Sequence, residues 1–375
     1  MEFPDRTQKT NLTHLNAASQ RERVGLSGDV DEIVTPARRR GPHPLPVFLA
    51  HIANSCAGDP DRLNRALAGL RRYQTAPLEP MRDRGEIVAQ CGGVTLRDHG
   101  RGSGRPVVLV PSLINPPDVL DLAPGNSFAA SLAAAGHRPL IVDWGATEAH
   151  GLEAAITERL LPLVRTLGTP VAIIGYCLGG TLALAATALL GDSITRLGLL
   201  ATPWHFHGYD AAARTGLAEW WTAAAPLAAQ LGSVPIDFLQ PAFWALDPDG
   251  LAEKFIRFGA SDGPSEAFVR LEDWANGGAP LSIAATQGLA ETLFANDASG
   301  KGRWIVGGSR IDPRALTCPI LDIVAMRDRI VPPATALTSE GPGTTWRIDA
   351  GHVGMVVGGR AAQTLWHPLA KWLHG

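Results

Sequence analysis

Three side chains far apart in the sequence have the types and the order needed for covalent chemistry: Cys177, Asp328 and His352. Cys177 lies in Gly175-Tyr176-Cys177-Leu178-Gly179-Gly180, after the apolar run Val171-Ala172-Ile173-Ile174 and before a helix-like run from Thr181 to Leu190. A G-x-nucleophile-x-G turn between a strand and a helix is a nucleophile elbow, because small residues let the backbone turn tightly enough to lift the middle side chain above the sheet. The lifted group here is a thiol, which points to acyl transfer through a thioester. A thiolate attacks an acyl carbon only if a base removes its proton and donors stabilise the oxyanion. Asp328 falls just after a strand pattern ending at Ala325, and His352 just after the last one, in Gly351-His352-Val353-Gly354. Nucleophile, acid, histidine is the chain order such elbows use. Each residue alone has a plainer reading: a buried small hydrophobe for a cysteine, a turn cap for an aspartate. The joint order favours the catalytic reading.

The oxyanion donors should be backbone N–H groups. Leu178 follows the nucleophile and opens a helix, whose dipole favours negative charge there. The second donor should come from the loop after Val110; Pro111 has no N–H, so Leu113 is the expected residue. A helix N-terminus and a neighbouring His352 are also the two features that favour a thiolate. Asp143 follows a strand pattern but precedes the elbow, and reads as structural. His205 and His207 have an H-x-H spacing, yet no further ligand cluster accompanies them, so cap packing is preferred to a metal.

Several strands and helices must position these groups. Glu86–Gln90 and Val94–Arg97 read as a hairpin through Gly92-Gly93; Pro106–Val110, Arg138–Val142, Arg196–Leu200, Pro319–Val324 and Thr344–Ile348 read as further strands. Helical patterns cover Ser127–Ala135, Glu153–Leu167 and Ala361–Leu373. Alternating strands and helices predict an α/β fold with a mostly parallel sheet and helices on both faces. The alternation stops at Pro203, so residues 203–305, with Trp204, Trp220, Trp221, Trp244, Trp274 and Trp304, are expected to form a cap insert. The core then comprises 86–202 and 306–375. Residues 44–85 read as a helical extension on the core, and 1–43 as a disordered tail.

Composition bounds the possibilities. The chain has 375 residues, is 45% hydrophobic and carries a formal net charge of −3, with scattered Lys and Arg. That argues against nucleic acid as a partner. No apolar run is long enough to span a bilayer, and the N-terminus has no apolar signal core. The expected location is therefore cytoplasmic. Cys56, Cys91, Cys177 and Cys318 form no C-x-x-C pair, which sets aside zinc and a disulfide framework. No cofactor and no metal are expected.

From about Pro44 to the C-terminus the chain resembles the polyhydroxyalkanoate synthases, in particular the shorter, two-subunit type, within the α/β-hydrolase superfamily. Gly175-Tyr176-Cys177-Leu178-Gly179-Gly180-Thr181-Leu182 is similar to their lipase-like box. Val110-Pro111-Ser112-Leu113-Ile114-Asn115 is similar to their oxyanion-side loop, as are Val142-Asp143-Trp144-Gly145, Asp328-Arg329-Ile330-Val331-Pro332 and Gly351-His352-Val353-Gly354-Met355 to other family motifs. The chain departs from them at Arg329, where His is common, and in having only Tyr73, Tyr176 and Tyr209. The resemblance implies an α/β-hydrolase fold with an inserted cap, and an acyltransferase that polymerises 3-hydroxyacyl-coenzyme A on Cys177. His352 would activate the thiol and Asp328 would assist His352 or the incoming hydroxyl. Coenzyme A thioester and growing polyester are then substrates rather than cofactors. A homodimer, a second synthase subunit and a place at the polyester granule surface are further implications. The alternatives are a cysteine-dependent hydrolase (an acyl-coenzyme A thioesterase or an intracellular polyester depolymerase) and a non-catalytic granule-bound or regulatory subunit.

Overall fold

Eight strands form the central sheet: β1 (Glu86–Cys91), β2 (Val94–Asp98), β3 (Arg105–Val110), β4 (His137–Asp143), β5 (Val171–Tyr176), β6 (Ile194–Leu200), β9 (Ile320–Ala325) and β10 (Thr344–Ile348). A separate two-stranded hairpin, β7 (Ile305–Val306) and β8 (Ser309–Arg310), precedes β9. In this computed structural model the described residues are 40–77, 83–100, 104–145, 150–262 and 266–375.

The strand order is β1-β2-β4-β3-β5-β6-β9-β10. Pairings within β1-β2-β4 are antiparallel and the rest are parallel. The inner strands β5 and β9 are buried at every residue, as strands covered on both faces must be. Successive side chains go to opposite faces. Val108, Val110 and Ile173 join one apolar cluster, with the Leu178–Leu190 helix. Val107, Leu109 and Ile174 join the other, with the Phe128–Ala134 and His367–His374 helices. The parallel strands all bring their C-terminal ends to one edge, where the turns carrying Cys177, Asp328 and His352 emerge. No helix among the described residues is long and apolar enough to cross a membrane.

Between β6 and β7 the described elements are helical, with long helices at Ala211–Leu231, Pro248–Ala260 and Glu266–Ala275. Three boundaries differ from expectation. The tail expected over 1–43 lies mostly outside the described residues, but Arg40 is tethered: its Nε meets Asp273 Oδ2 at 2.9 Å and its Nη1 donates to Ala76 O at 2.9 Å. The extension, Leu45–Ser55 and Pro60–Gln74, packs on the insert, contrary to its expected seat on the core. Phe48, Ile52, Leu70 and Tyr73 share an apolar cluster with Trp244, Phe255 and Phe258. Finally, the end of the insert belongs to the core: Leu293, Ala298 and Trp304 pack with the β3–β5 cluster, and the Trp304 and Trp204 ring centres lie 6.0 Å apart.

The extension and the insert meet closely at Gly69, where a Cβ would run into the Phe255 carbonyl oxygen. Gly69→Ala is therefore expected to destabilise the fold by about 1–3 kcal/mol. Gly216, on the Ala211–Leu231 helix, has open space at its Cβ position. Gly216→Ala should instead stabilise by about 0.5–1 kcal/mol, the ordinary gain of alanine in a helix. Urea unfolding of both variants checks the pair; equal effects would refute the proposed packing.

Candidate active site

Cys177 follows β5 and precedes the Leu178–Leu190 helix with φ 57° and ψ −134°. A non-glycine residue in such a region costs on the order of 1–3 kcal/mol and persists only when its surroundings fix it. They do so here. Cys177 N–H donates to Leu200 O at 2.9 Å, and Cys177 O accepts from Gly180 N at 2.9 Å. A Cβ on Gly179 would strike the Val110 carbonyl, and one on Gly180 would strike the Thr202 side chain. The helix thus lies tight against β3 and the turn after β6, which forces the chain through the strained turn that exposes the thiol.

The acid and base come together as the sequence implied. His352 Nδ1 donates to Asp328 Oδ2 at 2.6 Å, and both side chains are buried. The other carboxylate oxygen, Oδ1, accepts from the backbone amides of Ile330 and Val331, each at 2.8 Å. Asp328 is therefore held as an oriented carboxylate. On the other side, Cys177 and His352 line the same cavity. Burial alone would push the His352 pKa down, but the Cys177 charge, then the hydrogen bond to Asp328, carry it up from 6.5 to about 10. The Tyr176 ring stacks on His352 at 5.0 Å and 29°, packing the imidazole in place. Burial raises the Tyr176 phenol well above its ordinary value, so it stays neutral.

Cys177 and His352 open into a cavity of about 560 Å3 between core and insert. Much of its wall is apolar: Phe206, Leu239, Phe243, Trp244, Trp274 and Phe294. A polar patch interrupts it, where Lys254 Nζ pairs with the buried Glu272 at 2.7 Å beside Gln240. Loops are cross-tied around this space. Trp274 Nε1 donates to Pro116 O at 2.8 Å, and Trp144 Nε1 donates to Pro111 O at 3.0 Å. Both bonds pin the loop after β3. Of the two residues expected to supply oxyanion donors, Leu178 lines the cavity. Leu113 does not: its side chain packs between two apolar clusters, while Ser112 and Ile114 face the space. The Ile114 amide is already engaged with Ser112 Oγ at 3.2 Å.

The remaining singled-out residues are accounted for by packing. Asp143 holds Arg97 Nε at 3.1 Å and accepts from Gly145 N at 3.1 Å. His207 bridges Asp297 and Glu340, at 2.8 Å to each, and the Asp297 hydrogen bond raises its pKa. Buried His205 meets Leu337 O at 3.1 Å, and burial lowers its pKa. No group of three or more metal-ligating side chains with a metal-binding arrangement occurs among the described residues. Arg329 reaches across to the insert, pairing with Asp247 at 2.7 Å. Sequence reasoning missed Tyr176, Trp274 and the Lys254–Glu272 pair. Only Tyr176 had a signal, its place inside the elbow.

A mostly parallel eight-stranded sheet with a thiol at the elbow after β5 and the acid and base after β9 and β10 is an α/β-hydrolase fold. A hydrolase structure from Pseudomonas aeruginosa PA01 shares it, with a TM-score of 0.50 and 17% identity over 75% of this chain and 94% of that one. No family model matches the chain. Among curated proteins, it is similar to the poly(3-hydroxyalkanoate) polymerase subunit PhaC of Haloarcula marismortui, at 26% identity over 76% of this chain and 63% of the relative. The corresponding subunit of Haloferax mediterranei is 26% identical over 71% of this chain and 58% of its own length. That of Allochromatium vinosum is 27% identical, covering 72% and 80% respectively. The chain thus spans less than two thirds of the two haloarchaeal relatives. The resemblance read from the motifs of the elbow and the histidine loop holds over about three quarters of the chain.

A histidine whose folded pKa is raised adds stability that is fully present below its unfolded value and is lost as pH rises through the folded value. For His352 the loss should fall between about pH 6.5 and 10. Removing the Cys177 charge removes the first of the upward effects while burial remains. An NMR titration of the imidazole is expected to show His352 titrating well above 6.5 in the parent and lower in Cys177→Ala. An unchanged midpoint would show that the two groups are not in contact.

Proposed function

We propose that the chain is a polyhydroxyalkanoate synthase-like acyltransferase, with Cys177, His352 and Asp328 as its catalytic residues. The observation that carries the reading is the thiol on a strained elbow, sharing the wall of a largely apolar cavity with a buried histidine–carboxylate pair. The names of the curated relatives supply the reaction class. The substrate is a 3-hydroxyacyl-coenzyme A thioester.

In the first half-reaction His352 takes the thiol proton as the Cys177 sulfur attacks the thioester carbonyl. The Leu178 amide, at the start of the elbow helix, donates to the oxyanion. The second donor comes from the loop after Val110, where the sequence pointed to the Leu113 amide because Pro111 has no N–H, although the Leu113 side chain packs away from the cavity. When the tetrahedral intermediate collapses, the carbon–sulfur bond to coenzyme A breaks and His352 passes its proton to the departing sulfur. The imidazole is then neutral. It takes the proton of a second unit's 3-hydroxyl, whose oxygen attacks the Cys177 thioester; the carbon–sulfur bond to Cys177 breaks, the sulfur recovers the proton from His352, and the new ester leaves the chain one unit longer. Exchange of one thioester for another keeps the acyl-transfer potential that a serine ester would dissipate. The carboxylate of Asp328 steadies the imidazolium in both halves. Trp244, Trp274 and the other apolar walls keep water from the acyl-enzyme.

The test is incubation of the purified chain with 3-hydroxybutyryl-coenzyme A, following free coenzyme A, free acid and insoluble polyester together. Thiol release with polymer is expected, and Cys177→Ala should abolish both. His352→Ala should lose about three or more orders of magnitude, as when one member of a nucleophile–base unit is removed. Free acid without polymer would transfer the reading to a hydrolase. Turnover unaffected in Cys177→Ala would overturn it altogether. A homodimer and a partner subunit belong to the same proposal; sizing the chain with and without a relative's second subunit tests them.

A further inference from the structure

A second cavity, of about 500 Å3, lies at the end of β10, the outer strand of the sheet. Three arginines line it: Arg347 from β10, Arg327 from the turn after β9, and Arg360 from the segment entering the C-terminal helix. All three are exposed. One carboxylate shares the wall, Asp349, and it pairs with Arg327 at 2.8 Å. Arg347 and Arg360 have no anionic partner among the described residues. Three guanidinium groups against one carboxylate leave an excess of two positive charges around a concave space.

The rest of the wall is permissive. Four glycines line it, and at Gly354 and Gly359 an added Cβ would meet nothing within 4 Å. Guanidinium forks match phosphate oxygens two at a time. The volume exceeds what one phosphate ion fills and falls in the range of small-molecule sites, roughly 300–1,000 Å3. The cavity is also separate from the Cys177 space. Gly351 and Gly354 line the one, whereas His352 and Val353, between them, line the other. Arg327 ties the two catalytic turns together, its N–H donating to Ala350 O at 2.9 Å and its Nη2 to Asp349 O at 3.0 Å.

We propose that this cavity binds the di- or triphosphate group of a phosphorylated small molecule of nucleotide size, through Arg347, Arg360 and Arg327. Bound phosphate competes with Asp349 for Arg327, which places the occupant against the loop that carries His352. The inference concerns binding and is independent of which acyl group Cys177 accepts.

Calorimetric titration of the full chain with pyrophosphate, ATP and adenosine tests it. Pyrophosphate and ATP are expected to bind, more weakly as salt is raised, and adenosine is not. Equal affinities would identify an inorganic polyphosphate group as the ligand; a tighter ATP would identify a nucleotide. The double variant Arg347→Glu/Arg360→Glu should bind about a hundredfold more weakly, roughly tenfold for each guanidinium lost. Its melting temperature, compared with the parent's, shows that it folds. Gly359→Leu fills the space while leaving the arginines in place, and should also abolish binding. No heat with either phosphate at millimolar concentration, adenosine binding as well as ATP, or full affinity in both variants would overturn the proposal.

Discussion

The structure around the active site depends on one backbone constraint, the turn at Cys177. A residue with a Cβ sits there at positive φ, and the cost, on the order of 1–3 kcal/mol, has to be met by contacts on every side. The glycines Gly179 and Gly180 let the elbow helix lie against β3 and the turn after β6. The hydrogen bond from Cys177 N to Leu200 O ties the turn to β6. Released from these contacts, the chain would relax and the thiol would swing away from His352. The sheet and the elbow helix therefore act as a clamp, and the apolar cluster beneath them supplies the force.

The electrostatics follow from where the clamp leaves the thiol. A buried histidine would ordinarily be neutral, since desolvation penalises its charged form. His352 is held the other way because it lies between the Cys177 charge and a carboxylate. That carboxylate keeps its direction because two backbone amides, from Ile330 and Val331, donate to its other oxygen. The Asp328-Arg329-Ile330-Val331 turn thus has a double use. Its first residue fixes the base, and its second, Arg329, reaches Asp247 at the start of an insert helix. That ion pair is exposed and contributes little energy, so it orients the insert without locking it.

The sheet and the grouping of Cys177, Asp328 and His352 were legible in the sequence because both rest on local patterns. The apolar runs of β3, β5 and β9 mark inner strands, and glycines flank the nucleophile wherever such an elbow must close. Asp328 and His352 could be placed because each stands at the end of a strand pattern. The seat of the extension was not legible. Leu63, Leu67 and Leu70 show that its second helix has an apolar stripe, but a stripe does not name its partner; Phe255 and Trp244 on the insert do so only once folded. The same holds for tryptophan. Six fall between Trp204 and Trp304, yet Trp204 and Trp304 pack the core, whereas Trp244 and Trp274 face the cavity. Residue type gave the enrichment, and burial divided it into two tasks. The oxyanion loop was the hardest of all, because a backbone donor leaves no mark in the identity of its side chain.

A cavity dominated by aromatic and aliphatic walls suits an acyl chain and excludes water, but a wholly apolar one would hold only alkanes. The Lys254–Glu272 pair breaks that uniformity. Glu272 is almost wholly buried, so leaving its charge unpaired would be costly; the ammonium 2.7 Å away offsets this. Ion pairs in such places are poor sources of stability compared with apolar replacements of the same size. Its presence therefore fits a task in the cavity better than a task in the fold. Gln240 beside it spends its amide on Ala275 O, which fixes the orientation of its own carbonyl oxygen. Together these groups give one region of the cavity hydrogen-bonding capacity while the rest stays dry. Such a division suits an occupant with two unlike parts, an apolar body and a polar arm.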